Sequence, residues 1–92
     1  MEQEKSELEK EYCKKIGCAI RKLRKQYSAK SLCIFAYEND IARSTLSRIE
    51  RGEGECGIVS LKRIATGFGW SLEELCRHIE EELGEDFTLI DL

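Results

Sequence analysis

The chain contains no proline and a single histidine, and aromatic residues make up only 8% of it. Without proline there is nothing to kink or halt a helix from inside, and β-branched residues are scattered instead of alternating, so a sheet protein is disfavoured. The one histidine, His78, has no evident nucleophile partner in sequence, and the chain is read as a non-enzyme. No apolar run approaches the roughly 18 residues that a membrane span needs. The start is acidic and polar, with no basic stretch leading into an apolar one, so no signal peptide is read and a cytoplasmic location is expected. The cysteines at 13, 18, 33, 56 and 76 form no CxxC pair and are odd in number. They are read as separate, reduced, structural thiols, with no metal and no other cofactor expected.

What is present is charge, and it is segregated. The net charge of −3 conceals a net −3 over residues 1–13, +7 over residues 14–51 and −7 over residues 52–92. A basic middle between acidic ends suits a domain that turns one electropositive surface towards a polyanion. At 92 residues the chain is long enough for one modest core and is taken as one domain, 1–92.

Apolar residues recur at three-to-four spacing, which predicts an all-α architecture. Leu8, Tyr12, Ile16, Ala19, Ile20, Leu23 and Tyr27 outline a long first helix from about residue 4 to about residue 27, followed by a connection at Ser28–Lys30. Ser31 caps a second helix to about Asn39, carrying Phe35 and Ala36 inward, and Asp40 suits a tight, left-handed turn. A third helix ends at Gly52 and is followed by the acidic loop Glu53–Gly57. The fourth is expected to be capped by Ser60 and ended by Gly69. Ser71 with Glu74 forms a capping box for a fifth, Leu72 to about Leu83. The tail, Phe87–Leu92, alternates in a way that suits either disorder or a short strand.

The segment from Ile41 to Gly52 carries most of the functional information. Leu46 and Ile49, with Ile41 upstream, turn to one face. Arg43, Ser44, Thr45, Ser47 and Arg48 point elsewhere, and they are hydrogen-bonding groups of the kind that read base edges and phosphates.

In its order of elements and motifs the chain resembles the phage-repressor and Cro-like (XRE-type) helix-turn-helix family over residues 16–83. The resemblance rests on Ile20-Arg21-Lys22-Leu23-Arg24, Phe35-Ala36, Ile41 through Gly52, Ser60-Leu61, Lys62-Arg63-Ile64-Ala65 and Gly69 through Leu75. It implies a five-helix, lambda-repressor-like domain with a long N-terminal helix and a short C-terminal tail. In this reading 16–83 is the core, 1–15 a helical extension and 84–92 the tail. It further implies a regulator whose third helix enters the major groove of double-stranded DNA, as a homodimer on a palindromic operator. Arg43, Ser44, Thr45 and Arg48 match the family's reading positions, and Ser31 and Arg51 match positions that hold backbone phosphate. Arg24 and Glu50 match a structural ion pair between the first and third helices. No small-molecule substrate is implied.

The chain departs from the family pattern at several places. Leu32 stands where a glutamine is usual, Ile34 where a polar residue is usual, Asp40 in place of glycine, and Ala42 in place of a capping serine or threonine. Leu32 and Ile34 are expected to be exposed together. Glu53 and Glu55 place negative charge where the chain often runs near phosphate. The connection before Ser31 is one residue longer than the common form. A protein-interaction module on the same scaffold is the alternative reading, served by the acidic ends and by Leu32 and Ile34.

Overall fold

The computed structural model describes residues 7–84 and 87–89, and in these the chain is all-helical with no strand. Five α-helices follow one another: α1 (Glu7–Leu23), α2 (Leu32–Glu38), α3 (Arg43–Glu50), α4 (Ile58–Phe68) and α5 (Leu72–Leu83). This is the expected five-helix arrangement with a long first helix. The start of the expected first helix, part of the N-terminal extension and the end of the possible tail strand lie outside the described residues. Phe87–Leu89 has no regular structure.

α1 buries Gly17, Ala19, Ile20 and Leu23 along one side. Its acidic first turn and basic last turn both favour the helix dipole. It does not run regularly to residue 27. Arg24–Ser28 forms a wider, π-helical turn closed by left-handed Ala29, whose N–H donates to the Arg24 carbonyl at 3.0 Å. The extra residue in the turn swings Tyr27 off the helical face predicted for it, and it is half-exposed instead of in the core. Ser28 belongs to this turn, its hydroxyl donating to the Arg24 carbonyl at 2.7 Å, so the connection to α2 is shorter than expected.

Ser31 caps α2 by accepting from the Ile34 N–H at 3.2 Å. The helix ends at Asn39, and the turn that follows places Asp40 at φ +58°, the left-handed conformation expected there. α3 starts at Ala42 with no side-chain cap. Two expectations fail nearby. Leu32 is half-buried and packs against the core, because it lies a turn ahead of Phe35 and Ala36 on their side of α2; only Ile34 is exposed. α4 begins at Ile58, two residues before Ser60, because extended Gly57 makes the N-cap, and Ser60 lies within the first turn with no capping role. The Ser71–Glu74 capping box of α5 is present in both directions.

Phe35, Ile20, Leu23, Leu46, Ile64 and Leu75 are fully buried, drawing all five helices onto one core. Each contributes about 1.5–3 kcal/mol relative to an exposed side chain. α1 and α3 approach backbone to backbone. A Cβ on Gly17 would meet the carbonyl oxygens of Ile49 and Glu50, the latter at 2.8 Å. Gly52, at φ +71°, packs the end of α3 on α1, where a Cβ would come within 2.6 Å of the Lys14 Cα.

One ion pair spans the same junction. Arg24 donates from Nε to Glu50 Oε2 at 2.7 Å and from Nη2 to Glu50 Oε1 at 2.9 Å. Its Nη1 reaches the Lys30 carbonyl at 2.7 Å, so one guanidinium ties α1, α3 and the entry to α2. Both side chains are buried, and the Glu50 hydrogen bonds hold the guanidinium pKa above its ordinary value despite the opposing effect of burial.

Helix propensity alone would make Gly17→Ala stabilising by about 1 kcal/mol. Because the new methyl meets carbonyl oxygens of α3, the expected result in urea unfolding is the reverse sign, a loss of about 1–3 kcal/mol. Arg24→Ala strands a buried carboxylate and is expected to cost about 3–5 kcal/mol, whereas replacing Arg24 and Glu50 together by apolar residues of similar volume recovers most of that loss.

Candidate nucleic-acid interface

α2, the Asn39–Ala42 turn and α3 form a helix-turn-helix. Asn39 Nδ2 donates to the Phe35 carbonyl at 2.7 Å, and the Ile41 N–H donates to the Ala36 carbonyl at 2.9 Å, so the turn is closed onto the end of α2. Arg63 Nη1 donates to the Asp40 carbonyl at 3.2 Å, bracing the turn from α4. The hydrogen bonds fix the angle between the two helices without relying on the glycine that Asp40 replaces.

α3 is two-faced, as a short helix with three buried side chains on one side must be. Leu46, Ile49 and Glu50 are inside, with Ile41 just ahead of them. Arg43, Ser44 and Arg48 are exposed on the outside and Thr45 is half-buried beside them. Neither Arg43 nor Arg48 takes part in the exposed ion pairs Lys30–Glu38, Arg51–Glu53, Arg63–Asp40 and Arg77–Glu81. Arg43 is instead steadied by a neighbour that sequence reasoning missed: its Nε lies 3.3 Å from the Cys33 sulfur on α2. Only the fold brings Cys33 and Arg43 together, since ten positions separate them.

The structure sets the two candidate phosphate residues apart. Ser31 is exposed at the start of α2, where its oxygen accepts the capping N–H and its own O–H still has an outward direction to donate. Arg51, at the end of α3, is engaged within the chain. Its Nε meets the Ser47 hydroxyl at 3.2 Å and the Ser47 carbonyl at 3.3 Å, and its Nη1 donates to Glu53 Oε2 at 2.8 Å. The i, i+4 spacing of Ser47 and Arg51 on a helix signals the first of these contacts in the sequence, whereas nothing local singles out Glu53.

Away from this face, a cleft of about 350 Å³ opens between α1, the 53–57 loop and α5. It gathers three thiols, Cys13, Cys56 and Cys76, that are far apart in sequence. All five cysteines are free thiols, and burial pushes the Cys56 pKa up to about 11, which keeps that thiol protonated. Among the described residues no three His, Cys, Asp or Glu side chains are arranged to hold a metal ion, and no helix is long and apolar enough to cross a membrane.

The chemistry available on the α2–α3 face is therefore hydrogen bonding by two arginines and three hydroxyl groups held on a braced helix pair. No family model matches the chain. It is 37% identical over 68 residues to Control protein C.MunI of Mycoplasma sp, a match covering 74% of this chain and 92% of that protein. The extent of that match, together with the helix-turn-helix formed by α2 and α3, places this chain in the helix-turn-helix regulator family to which the control protein belongs.

Proposed function

We propose that the chain is a sequence-specific, DNA-binding transcriptional regulator of the phage-repressor and Cro-like (XRE) type. It lays α3 in the major groove and acts without catalysis. The observation that carries this reading is the division of labour on α3: Leu46, Ile49 and Glu50 are locked inside while Arg43, Ser44 and Arg48 stand exposed. Membership of a family that includes a control protein supports it. Arg43 and Arg48 read bases, each bidentate pair with guanine giving about 1–3 kcal/mol of discrimination. Ser44 and Thr45 bond either base or phosphate, and Ser31 and Arg51 hold backbone phosphate on either side of α3. Residues 16–83 form the DNA-binding core in this reading.

A palindromic operator requires a two-fold dimer. Near the chain ends, Tyr12 is half-buried with its ring 5.3 Å from that of Phe87, so this pair is engaged within the same chain, whereas Leu89 is exposed. The exposed aliphatic pair at the start of α4 suits a dimer contact better: Ile58 is 64% and Val59 59% exposed, a few residues beyond the recognition helix. A two-fold contact there buries the same pair from both copies.

A protein-interaction module is the second reading, and one observation favours it: Ile34 and Tyr37 stand exposed on one side of α2, Tyr37 at 86%. Selection from random duplexes separates the two. A DNA reader enriches a defined site, loses affinity steeply as salt rises, and relaxes its preference at particular base pairs in Arg43→Ala and Arg48→Ala. Flat affinity with no enriched sequence would refute DNA reading. For the dimer, sedimentation at tens of micromolar is expected to show a two-chain species that Ile58→Asp converts to monomer without loss of helicity; a wild-type monomer both free and on DNA would rule it out.

A further inference from the structure

We infer that Glu53 is a resident substitute for DNA phosphate, holding Arg51 at the end of the recognition helix and setting how tightly the protein grips DNA of any sequence. The inference rests on the DNA-binding reading of α3 and adds to it a residue that opposes binding.

The position of Glu53 is built into the fold. Its own N–H donates to the Arg48 carbonyl at 3.0 Å, alongside Gly52 N–H to Ile49 and Arg51 N–H to Ser47, so its backbone closes the last turn of α3. Left-handed Gly52 packs that turn against the Lys14 backbone of α1. From this fixed point the carboxylate reaches Arg51 Nη1 at 2.8 Å, while Ser47 holds Nε from the other side.

The chemistry of the contact is that of a phosphate contact. An arginine N–H binds a phosphate oxygen as it binds a carboxylate oxygen, by a charge-assisted hydrogen bond, here a single one from Nη1 to Glu53 Oε2. A helix C-terminus carries negative partial charge, so the cation of Arg51 is favoured there and a lone carboxylate is not. Glu53 is tolerated because it is paired. Tethered two residues away, it faces Arg51 at a high effective concentration, and an incoming phosphate competes with it for the guanidinium. The exposed pair itself adds little to stability, so removing the carboxylate leaves the fold intact. Arg43 and Arg48 lie outside that pair, so the restraint falls on the phosphate grip at the end of α3 and not on the base-reading side chains.

The test is a salt titration of random and selected duplexes with wild type, Glu53→Gln, Arg51→Gln and the double variant, each checked by circular dichroism. Glu53→Gln is expected to bind both duplexes more tightly, by about 2- to 5-fold at 0.1 M salt, in keeping with the loss of one exposed ion pair, and to steepen the slope of log K against log salt by about 0.9, the effect of one more neutralised phosphate. In the Arg51→Gln background the same substitution is expected to give little gain. Salt-dependent binding that Glu53→Gln leaves unchanged, or an equal gain with and without Arg51, overturns the role of Glu53 and leaves the DNA reading standing. No duplex binding by any of the four proteins overturns both.

Discussion

The buried pair between Arg24 and Glu50 is the constraint on which the rest of the molecule turns. A guanidinium and a carboxylate taken out of water tolerate almost no change of position, since each is the other's main compensation for lost hydration. The third bond of Arg24, to the Lys30 carbonyl, extends this demand to the start of α2. The π-helical turn at Arg24–Ser28 fits the same logic, with the helix widening where the arginine must satisfy partners on two other elements. The roll of α3, and hence the set of side chains it presents outward, is specified by electrostatics as well as by packing.

Charge is handled differently inside and outside. Inside, it is paired and geometrically exact in its demands. Outside, Lys30–Glu38, Arg51–Glu53 and Arg77–Glu81 are exposed pairs that add little to stability but decide which cations are available. The segregation along the sequence thus becomes, in three dimensions, a face where Arg51 is ion-paired, Arg43 leans on the Cys33 sulfur and Arg48 stands exposed. The overall negative charge is compatible with that face, because affinity for a polyanion depends on local potential more than on net charge.

Much of this was legible in the sequence, for physical reasons. Long helices with a clear apolar stripe and strong caps, α1 and α5 above all, follow from periodicity and from Ser71 and Glu74. The inner face of α3 follows from Leu46 and Ile49. What was not legible depended on contacts between distant residues or on backbone choices among near-equals. Nothing local marks Gly17 as a contact point, since only the arrival of α3 makes a Cβ there impossible. Tyr27 fits the helical stripe, and only the widened turn expels it. Ser60 is as good a cap as Gly57 in sequence, but extended Gly57 lets Ile58 and Val59 join the helix. The outward residues could be identified as a group, while their individual states, Arg43 beside Cys33 and Arg51 held by Glu53, required the fold.

The close approach of α1 and α3 has one more implication. Because Gly17 and Gly52 set the spacing, and Ile41, Leu46, Ile49 and Glu50 supply the anchoring, the exposed positions Arg43, Ser44 and Arg48 bear almost none of the burden of folding. Mutational drift at those positions is therefore thermodynamically inexpensive, whereas drift in the glycines or the buried pair is not. Such a scaffold separates the evolution of preference from the evolution of stability: related chains can diverge in what they recognise while the supporting framework stays the same.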